Sequence, residues 1–203
     1  LTYRIGKTRQ GVQLYMLVLA GVIVSALFTA LISLIKYIAD PEEKLPSIVY
    51  WLMGSLAGAS ANDLYLGIPL IGLGIFILWM IRWHLNVLSL SEEEARAMGV
   101  NLHLLRIIII LCTTLITAVS VSLSGIIGFV GLVVPHFARM MVGHEHRLLV
   151  PSAILMGGIY LLIIDTLART MTAAEIPLSI LTAMIGAPVF AWLLRRTGGR
   201  WHD

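Results

Sequence analysis

Long apolar segments separated by short polar connections make up most of this chain. Six of them can be followed along the sequence, at residues 12–38, 64–81, 107–123, 126–142, 148–167 and 176–194. Apolar runs of about 18 residues or more are long enough to cross the hydrocarbon core of a bilayer as helices. The pattern therefore predicts an all-α polytopic membrane protein with six transmembrane helices.

Composition agrees with this pattern. Of the 203 residues, 59% are hydrophobic and only 12% are charged, whereas soluble domains are about one quarter charged. The net charge of +3 is small. In a membrane protein such an excess mostly reflects basic cytoplasmic loops, so it does not indicate nucleic-acid binding.

The basic residues decide how the longest apolar stretch, 107–142, is divided. A break near Ser124 and Gly125 gives six spans with both ends cytoplasmic and places 11 of the 14 lysines and arginines inside. One unbroken helix would divide the same residues 7 to 7. Cytoplasmic loops are enriched in basic residues, so the break is favoured. An unbroken helix would also be about 54 Å long, far beyond a core of about 30 Å.

Two polar connections differ from ordinary loops. Residues 40–63 carry Pro41, Pro46, Tyr50 and Trp51, and their apolar part is too short to span. This segment is either a short interfacial or re-entrant helix, or a loop with an aromatic anchor. Residues 88–106 (LSLSEEEARAMGVNLHLLR), here called the island, form a charged, helix-prone segment between two spans. On the predicted cytoplasmic side, the island suggests a docking surface for a soluble partner that supplies energy.

Small and ionisable residues within the apolar segments suggest a transport pathway. Glycines punctuate residues 124–131, 157–158 and 186–188, and such positions either let helices pack closely or break them around a cavity. Asp165 and Arg169 are four apart near the end of one span, so they can share a helix face. They are either a local ion pair, an ion relay, or a contact with an outside partner.

Other chemistry is weakly represented. His144, Glu145 and His146 are expected to be a solvated loop, because adjacent histidines seldom bind metal without a third ligand. His136 is expected to pack or cap, and Cys112 to be a small packing residue. No phosphate-binding loop or catalytic constellation is visible. We therefore predict no catalytic activity, no metal site and no cofactor, with any ATP hydrolysis on a separate subunit.

Three segments closely resemble one family of membrane proteins. Residues 128–136 (GFVGLVVPH) and 175–188 (EIPLSILTAMIGAP) resemble blocks in the C-terminal part of the FecCD-like, type II ABC importer permeases for iron-siderophore, haem and vitamin B12. Residues 93–99 (EEARAMG) resemble the coupling motif Glu-Ala-Ala-x-x-x-Gly of importers, with Glu94 in the second place. The resemblance covers nearly the whole chain.

The resemblance implies a homodimeric permease in the bacterial inner membrane, working with a cytoplasmic ATP-binding subunit and an extracytoplasmic substrate-binding protein. Family permeases have ten spans, and this chain resembles their last six, as a single permease domain over 1–203. It is expected to be a fragment, a split subunit or a truncated product. The island at 88–106 would seat two short helices in the ATPase subunit, through the coupling residues Glu93, Glu94, Ala95, Arg96 and Gly99.

The resemblance also places a contact and a pathway. Arg169 would pair with a glutamate of the binding protein at the outer surface. The first and sixth spans here would line the pathway, and their small polar residues are the candidates, namely Ser25, Thr29, Ser33, Ser179 and Thr182. The cargo would be an iron-siderophore or a related metal chelate, with haem, cobalamin and oxyanions such as molybdate left open. The alternatives are an ion-coupled transporter or channel using Asp165 and Arg169, and a structural fragment without function.

Overall fold

The computed structural model describes residues 7–8, 11–12, 14–90, 92–172 and 174–197. Their regular secondary structure is helical apart from one small hairpin, and they fall into two compact units, Leu1–Val49 and Tyr50–Asp203. In the first unit, β1 (Lys7–Thr8) pairs antiparallel with β2 (Gly11–Val12), with Lys7 opposite Val12. Helix α1 (Leu14–Ile38) follows, and most of its described side chains are exposed apolar groups.

A short helix, α2 (Lys44–Leu52), occupies the first half of the connection at 40–63. Asp40 starts it, because its carboxylate accepts hydrogen bonds from the backbone of Glu42 and Glu43, and its carbonyl accepts from Lys44. Local carboxylate-to-backbone bonds of this kind are typical of helix entry. Of the two sequence interpretations of this segment, the short helix is the one that the structure has.

The second unit is a bundle of helices in which α3 and α5 make the most extensive pairing. It comprises α3 (Ala61–Leu85), a 3-10 turn (Asn86–Ser89), α4 (Glu92–Ala97), α5 (Leu102–Ser124), α6 (Val130–Val142), α7 (His146–Thr170) and α8 (Leu178–Thr197). A Cβ on Gly67 would lie 2.6 Å from Leu123, and one on Gly74 would lie 2.7 Å from Ile116. These two glycines therefore let the backbones of α3 and α5 approach closely.

The predicted break in the long apolar run is confirmed. Helix α5 ends at Ser124, where Gly125 takes a φ of +71°, and α6 begins at Val130 after Phe129 with a φ of +64°. Positive φ values stop a right-handed helix, and glycine adopts them without a Cβ penalty. Gly125 therefore supplies the backbone freedom at this point.

Four of the described helices have the length and apolar character of membrane spans. They are Val18–Ile38, Ala61–Leu88, Leu102–Ser124 and His146–Thr170. Helix α6 and the apolar part of α8, Leu178–Leu193, are shorter; the 13 residues of α6 extend only about 20 Å. The structure thus supports a multi-pass membrane protein, while six full spans with both ends cytoplasmic remain a prediction.

Candidate functional site

The island is held by one buried alanine. Ala95 of α4 is completely buried, and it packs with Val87 of the 3-10 turn and Leu102 at the start of α5. Leu88 and Val100 cover the edges of this small core. Helix α4 has only six residues, and so short a helix is not stable without tertiary packing. The methyl group of Ala95 is therefore the point at which α4 is seated on the bundle.

The end of α4 is closed by a glycine-centred cap. Gly99 has a φ of +72°, and the N–H of Val100 donates to the carbonyl of Ala95 over 3.1 Å. This backbone bond, with the apolar contact between the same two residues, is the signature of a Schellman motif. Asn101 then starts α5, because its side chain accepts from the N–H of Leu104. The turn between α4 and α5 is thus fixed at both of its ends.

The predicted coupling residues divide into two groups in the structure. Ala95 faces the bundle, whereas Glu94 and Gly99 are exposed, together with Ala97 and Met98. The side chains of Glu93 and Arg96 lie outside the described residues. The island therefore presents a polar and partly apolar surface around Glu94 and Met98 that is supported from beneath.

Next to the island, Asn86 joins two distant parts of the chain. Its side-chain oxygen Oδ1 accepts a hydrogen bond from the backbone N–H of His146 over 3.0 Å, and lies 2.8 Å from Nδ1 of the same histidine. His146 is therefore partly buried and bonded, which corrects the expectation that residues 144–146 are all solvated. His144 and Glu145 are exposed as expected. The sequence could not reveal this contact because its two partners are 60 residues apart.

At the other end of α7, Arg169 is held by two acidic residues. Its Nε donates to Asp165 Oδ2 over 2.9 Å, and its Nη1 lies 3.7 Å from Glu175 Oε1. The shared helix face predicted from the spacing of Asp165 and Arg169 is therefore confirmed. The Arg169 side chain remains 43% exposed, so part of the guanidinium is accessible to an external carboxylate.

A close crossing of two glycines lies within the bundle at the same end. A Cβ on Gly125 would overlap the carbonyl oxygen of Trp51 and lie 2.9 Å from the Cα of Gly54. The N–H of Ser55 donates to the carbonyl of Ser124 over 2.9 Å. The carbonyls of Gly54 and Met53 accept from Leu178 and Ser179, the first residues of α8. The loop after α2 therefore ties the end of α5 to the start of α8.

Sequence reasoning missed the role of Gly54 in this crossing. A glycine followed by Ser55 in a polar loop is an ordinary turn pattern, and it gives no indication of which backbone will lie against it. An apolar core of Ile164, Ala168, Leu178 and Leu181 continues from the crossing along α7 and α8. Because Ala168 adjoins Arg169, this core supports the helix turn that carries the arginine.

The predicted pathway residues lie in two different environments. Ser25, Thr29 and Ser33 lie along one exposed face of α1, in an open groove with Gly21, Ala26 and Ala30. The hydroxyls of Thr29 and Ser33 donate to the carbonyl four residues earlier. In α8, Thr182 is completely buried and donates to the carbonyl of Ser179, which is partly buried. In this conformation the Thr182 side chain is buried within the helix bundle, whereas the α1 residues lie on an open surface.

Two further residues match their predicted packing roles. Cys112 is a buried free cysteine on α5. The Nδ1 atom of His136 lies 3.0 Å from the carbonyl of Leu132, and its ring meets Phe190 edge to face at 5.7 Å. In the part of the chain that the structure describes, no group of three metal-ligating side chains comes together.

Comparison with known proteins places this arrangement in a family. The model of the FecCD transport family matches residues 1–196. The chain is 50% identical over 182 residues to the molybdate import system permease protein MolB of Haemophilus influenzae, covering 89% of this chain and 54% of that protein. It is 42% identical over 183 residues to a probable iron chelatin transport system permease protein of Helicobacter pylori, covering 90% and 56%.

Solved structures agree with the sequence relatives. The fold is similar to that of a metal-chelate type ABC transporter in an inward-facing conformation, with a TM-score of 0.88 and 48% identity over 91% of this chain and 60% of that one. The chain spans about half the length of the curated relatives it matches. The family match extends over nearly every residue, and the island and the Arg169 surface lie within it. The chain therefore belongs to the FecCD transport family of ABC transporter permeases.

Proposed function

We propose that this chain is part of the permease of an ATP-driven importer, and that a cytoplasmic ATP-binding subunit binds the island and displaces it. The observation that carries the proposal is the seating of α4, in which a fully buried Ala95 fixes the helix on Val87 and Leu102. A short helix can pass on a displacement only if it is held rigidly from beneath. Glu94 and Met98 are exposed on this helix, and we propose that the partner binds there.

The two caps of the island serve the same role. The Gly99 turn and the Asn101 cap fix the angle between α4 and α5. Displacement of α4 would therefore be transferred to the adjoining α5 rather than absorbed by a loose linker. Movement of packed helices about a fixed pathway is the usual form of alternating access, with the partner's ATP cycle supplying the differential binding energy.

At the other end of α7 we propose that Arg169 docks a substrate-binding protein. Its guanidinium is positioned by Asp165 and the side chain as a whole remains 43% exposed, so it can form a second charge-assisted bond with a carboxylate of the partner. The working unit in this proposal is a homodimer of permeases in the bacterial inner membrane, and the pathway faces include Ser25, Thr29 and Ser33 of α1. Ser179 and Thr182 would reach the pathway only when α8 moves.

For the cargo we propose a metal chelate such as an iron-siderophore complex, with haem and cobalamin as related possibilities. A second candidate is the oxyanion molybdate, because a permease named for molybdate import is 50% identical to this chain. Uptake of radiolabelled molybdate and of iron-loaded siderophore by the reconstituted importer distinguishes the two. If labelled molybdate is taken up and excess unlabelled molybdate reduces that uptake, the cargo is the oxyanion. If only the labelled siderophore is taken up and only excess chelate reduces its uptake, the cargo is the iron complex.

The coupling proposal is tested by replacing Glu94 and Gly99. Glu94→Ala removes a charge from the exposed face, and Gly99→Val places a β-branched residue at a φ of +72°, where such residues are strained. In liposomes containing the ATPase subunit and the binding protein, we expect ATP hydrolysis to continue while uptake falls. Gly99→Asn is the matched control, because asparagine tolerates this backbone region. Normal uptake by Glu94→Ala and Gly99→Val would show that the island does not couple.

The rival function is ion-driven transport through Asp165 and Arg169. These residues form an exposed ion pair at a helix end, which suits a surface contact better than a relay buried in the bilayer. Uptake that stops when ATP is depleted and persists when ion gradients are collapsed supports the importer. The reverse pattern would support the ion-coupled transporter or channel.

A further inference from the structure

Helix α7 begins without a cap from its own sequence neighbour. Its N-cap residue, Glu145, makes no side-chain hydrogen bond to the first turn. The first N–H groups of a helix have no partner within the helix and need one from elsewhere. For His146 that partner is Asn86 Oδ1, which comes from a residue 60 positions earlier in the chain. The start of α7 is thus capped by the residue that directly follows α3.

The geometry fixes the protonation of this contact. A backbone N–H can only donate, so the atom of Asn86 that faces His146 must be the carbonyl oxygen. The same oxygen lies 2.8 Å from the ring Nδ1, and an amide oxygen only accepts. Nδ1 of His146 must therefore carry a hydrogen, and both donors of one residue converge on a single acceptor.

A second contact lies beside the first. The guanidinium of Arg147 sits over the ring of Trp83, 5.4 Å from its centroid. Trp83 and Asn86 are three residues apart at the end of α3, so they lie on one helix face. Consecutive residues at the start of α7 are thus joined to this face by a hydrogen-bonded pair and by a cation–π contact, which is favourable at such distances.

The same junction leads directly to the island. Asn86 opens the 3-10 turn, and the next residue, Val87, is 5% exposed and packs on Ala95 of α4. In the other direction, α7 runs for 25 residues, about 37 Å, to the turn that carries Asp165 and Arg169. One continuous helix therefore connects the anchor of the island with the Arg169 surface.

We propose that Asn86 and His146 are positioning residues that link the island to α7, so that displacement of α4 moves the helix that carries Arg169. This inference rests on the proposed importer function and adds a route between its two partner surfaces. The cation–π contact between Trp83 and Arg147 is the second contact of this link. Without the link, α4 still binds the ATPase subunit, but its movement reaches α7 weakly.

The test compares His146→Leu with His146→Asn in the importer reconstituted with its ATPase subunit and binding protein. Leucine removes the ring donor, whereas the asparagine side chain returns an N–H donor at the place of Nδ1. We expect His146→Leu to retain ATPase binding and basal hydrolysis, and to lose about five- to tenfold in substrate transported per ATP, within the usual range for coupling between sites. His146→Asn should restore most of that ratio.

A second readout separates positioning from simple stability. Stimulation of ATP hydrolysis by the binding protein should fall in His146→Leu, because in this proposal α7 also carries the signal from the Arg169 surface to the island. Arg147→Gln replaces an exposed residue and leaves the Asn86 contact in place, so it tests the link even if His146→Leu fails to fold. We expect it to lower transport per ATP and stimulation about two- to threefold, as for loss of an exposed cation–π contact.

Failure of the proposed importer function and failure of the Asn86–His146 link give different results. If unmodified importer shows no ATP-dependent uptake, the proposed function fails. If it shows such uptake and Arg147→Gln and any folded His146 variant keep the normal transport ratio and stimulation, only the link is overturned. Equal loss in His146→Leu and His146→Asn would also overturn it, because the donor at Nδ1 would then be irrelevant.

Discussion

The two ends of α7 present surfaces of opposite construction. At the island end, the six-residue helix α4, on which we propose that a partner binds, is fixed by a buried alanine and a glycine cap, and the preceding turn is bonded to His146. At the Arg169 end, the group that we propose for docking is a single guanidinium on the last turn of a 25-residue helix, held by two carboxylates. The first surface depends on packing and the second on charge.

This difference fits the two tasks that we propose. A surface that transmits a mechanical push must not yield, and apolar packing in a dense core is stiff. A surface that docks and releases a soluble protein needs reversible contacts, and exposed charges give orientation and fast association rather than rigid attachment. Mutations at the island should therefore act on coupling, and mutations at Arg169 should act on binding.

The largest effect is expected from Gly125→Ala, which disrupts the close crossing of Gly125 and Gly54 at the Arg169 end of the bundle. Its φ of +71° and ψ of −164° lie in a region that essentially only glycine adopts, at a cost of about 1–3 kcal/mol for another residue, and the added methyl would overlap the Trp51 carbonyl and crowd Gly54. We expect loss of the folded protein, measured as the monodisperse fraction on size exclusion in detergent. Gly158→Ala, in an open helical position, is the control and should remain folded. A folded Gly125→Ala protein would show that the crossing is dispensable.

The next effect in size is expected from Ala95→Leu. The site is fully buried, and forcing extra methylenes into a packed core costs about 1–3 kcal/mol. We expect a lower thermal midpoint or an unseated α4, with ATP hydrolysis no longer driving uptake. The same substitution at the exposed Ala97 leaves the packing untouched. Ala97→Leu is therefore the control for the thermal midpoint. If the two variants have equal thermal midpoints and Ala95→Leu keeps the uptake per ATP of the unmodified protein, the seating of α4 is not what couples.

Arg169→Glu should affect the other surface alone. Reversing this charge should weaken binding of the substrate-binding protein at least about tenfold, mainly through slower association. Basal ATP hydrolysis should be unchanged, because the island is intact. Surface plasmon resonance at two salt concentrations measures both the loss and its electrostatic origin. Unchanged affinity, or an equal loss at low and high salt, would argue against a docking role.

Smaller effects are expected at the two carboxylates. Asp165 bonds Nε of Arg169 at 2.9 Å, whereas Glu175 lies 3.7 Å from Nη1. Exposed ion pairs contribute little, so Asp165→Asn should weaken partner binding about two- to threefold, and Glu175→Gln should do so less. The same binding assay ranks them. A larger effect of Glu175→Gln would mean that Glu175, rather than Asp165, positions the guanidinium.

Much of this comparison could be read from the sequence, for physical reasons. The hydrophobic pattern predicts an all-α membrane protein because lipid requires helices, and the glycine at 125 marks the end of α5 because few other residues allow the turn. The four-residue spacing of Asp165 and Arg169 gives their ion pair. Each of these features depends on neighbours in the sequence.

The features that could not be predicted depend on distant neighbours. The Asn86–His146 contact and the Gly54–Gly125 crossing join residues far apart in the chain, and nothing local in the sequence specifies such pairs. The same holds for the burial of Thr182, because a threonine in an apolar helix gives no indication of which face is covered. The hydrophobic pattern predicts a span over residues 126–142, but α6 begins only at Val130, because residues 126–129 are apolar without being helical.

Cysteine cross-linking shows whether the two ends of α7 meet different partners. Met98 on the island and Met171 beyond Arg169 are 59% and 61% exposed, and Cys112 can be replaced by alanine to give a cysteine-free background. With a short bifunctional reagent in the assembled importer, we expect Met98→Cys to be cross-linked to the ATPase subunit and Met171→Cys to the binding protein. Adducts in the reverse order, or none from Met98→Cys to the ATPase subunit, would contradict it.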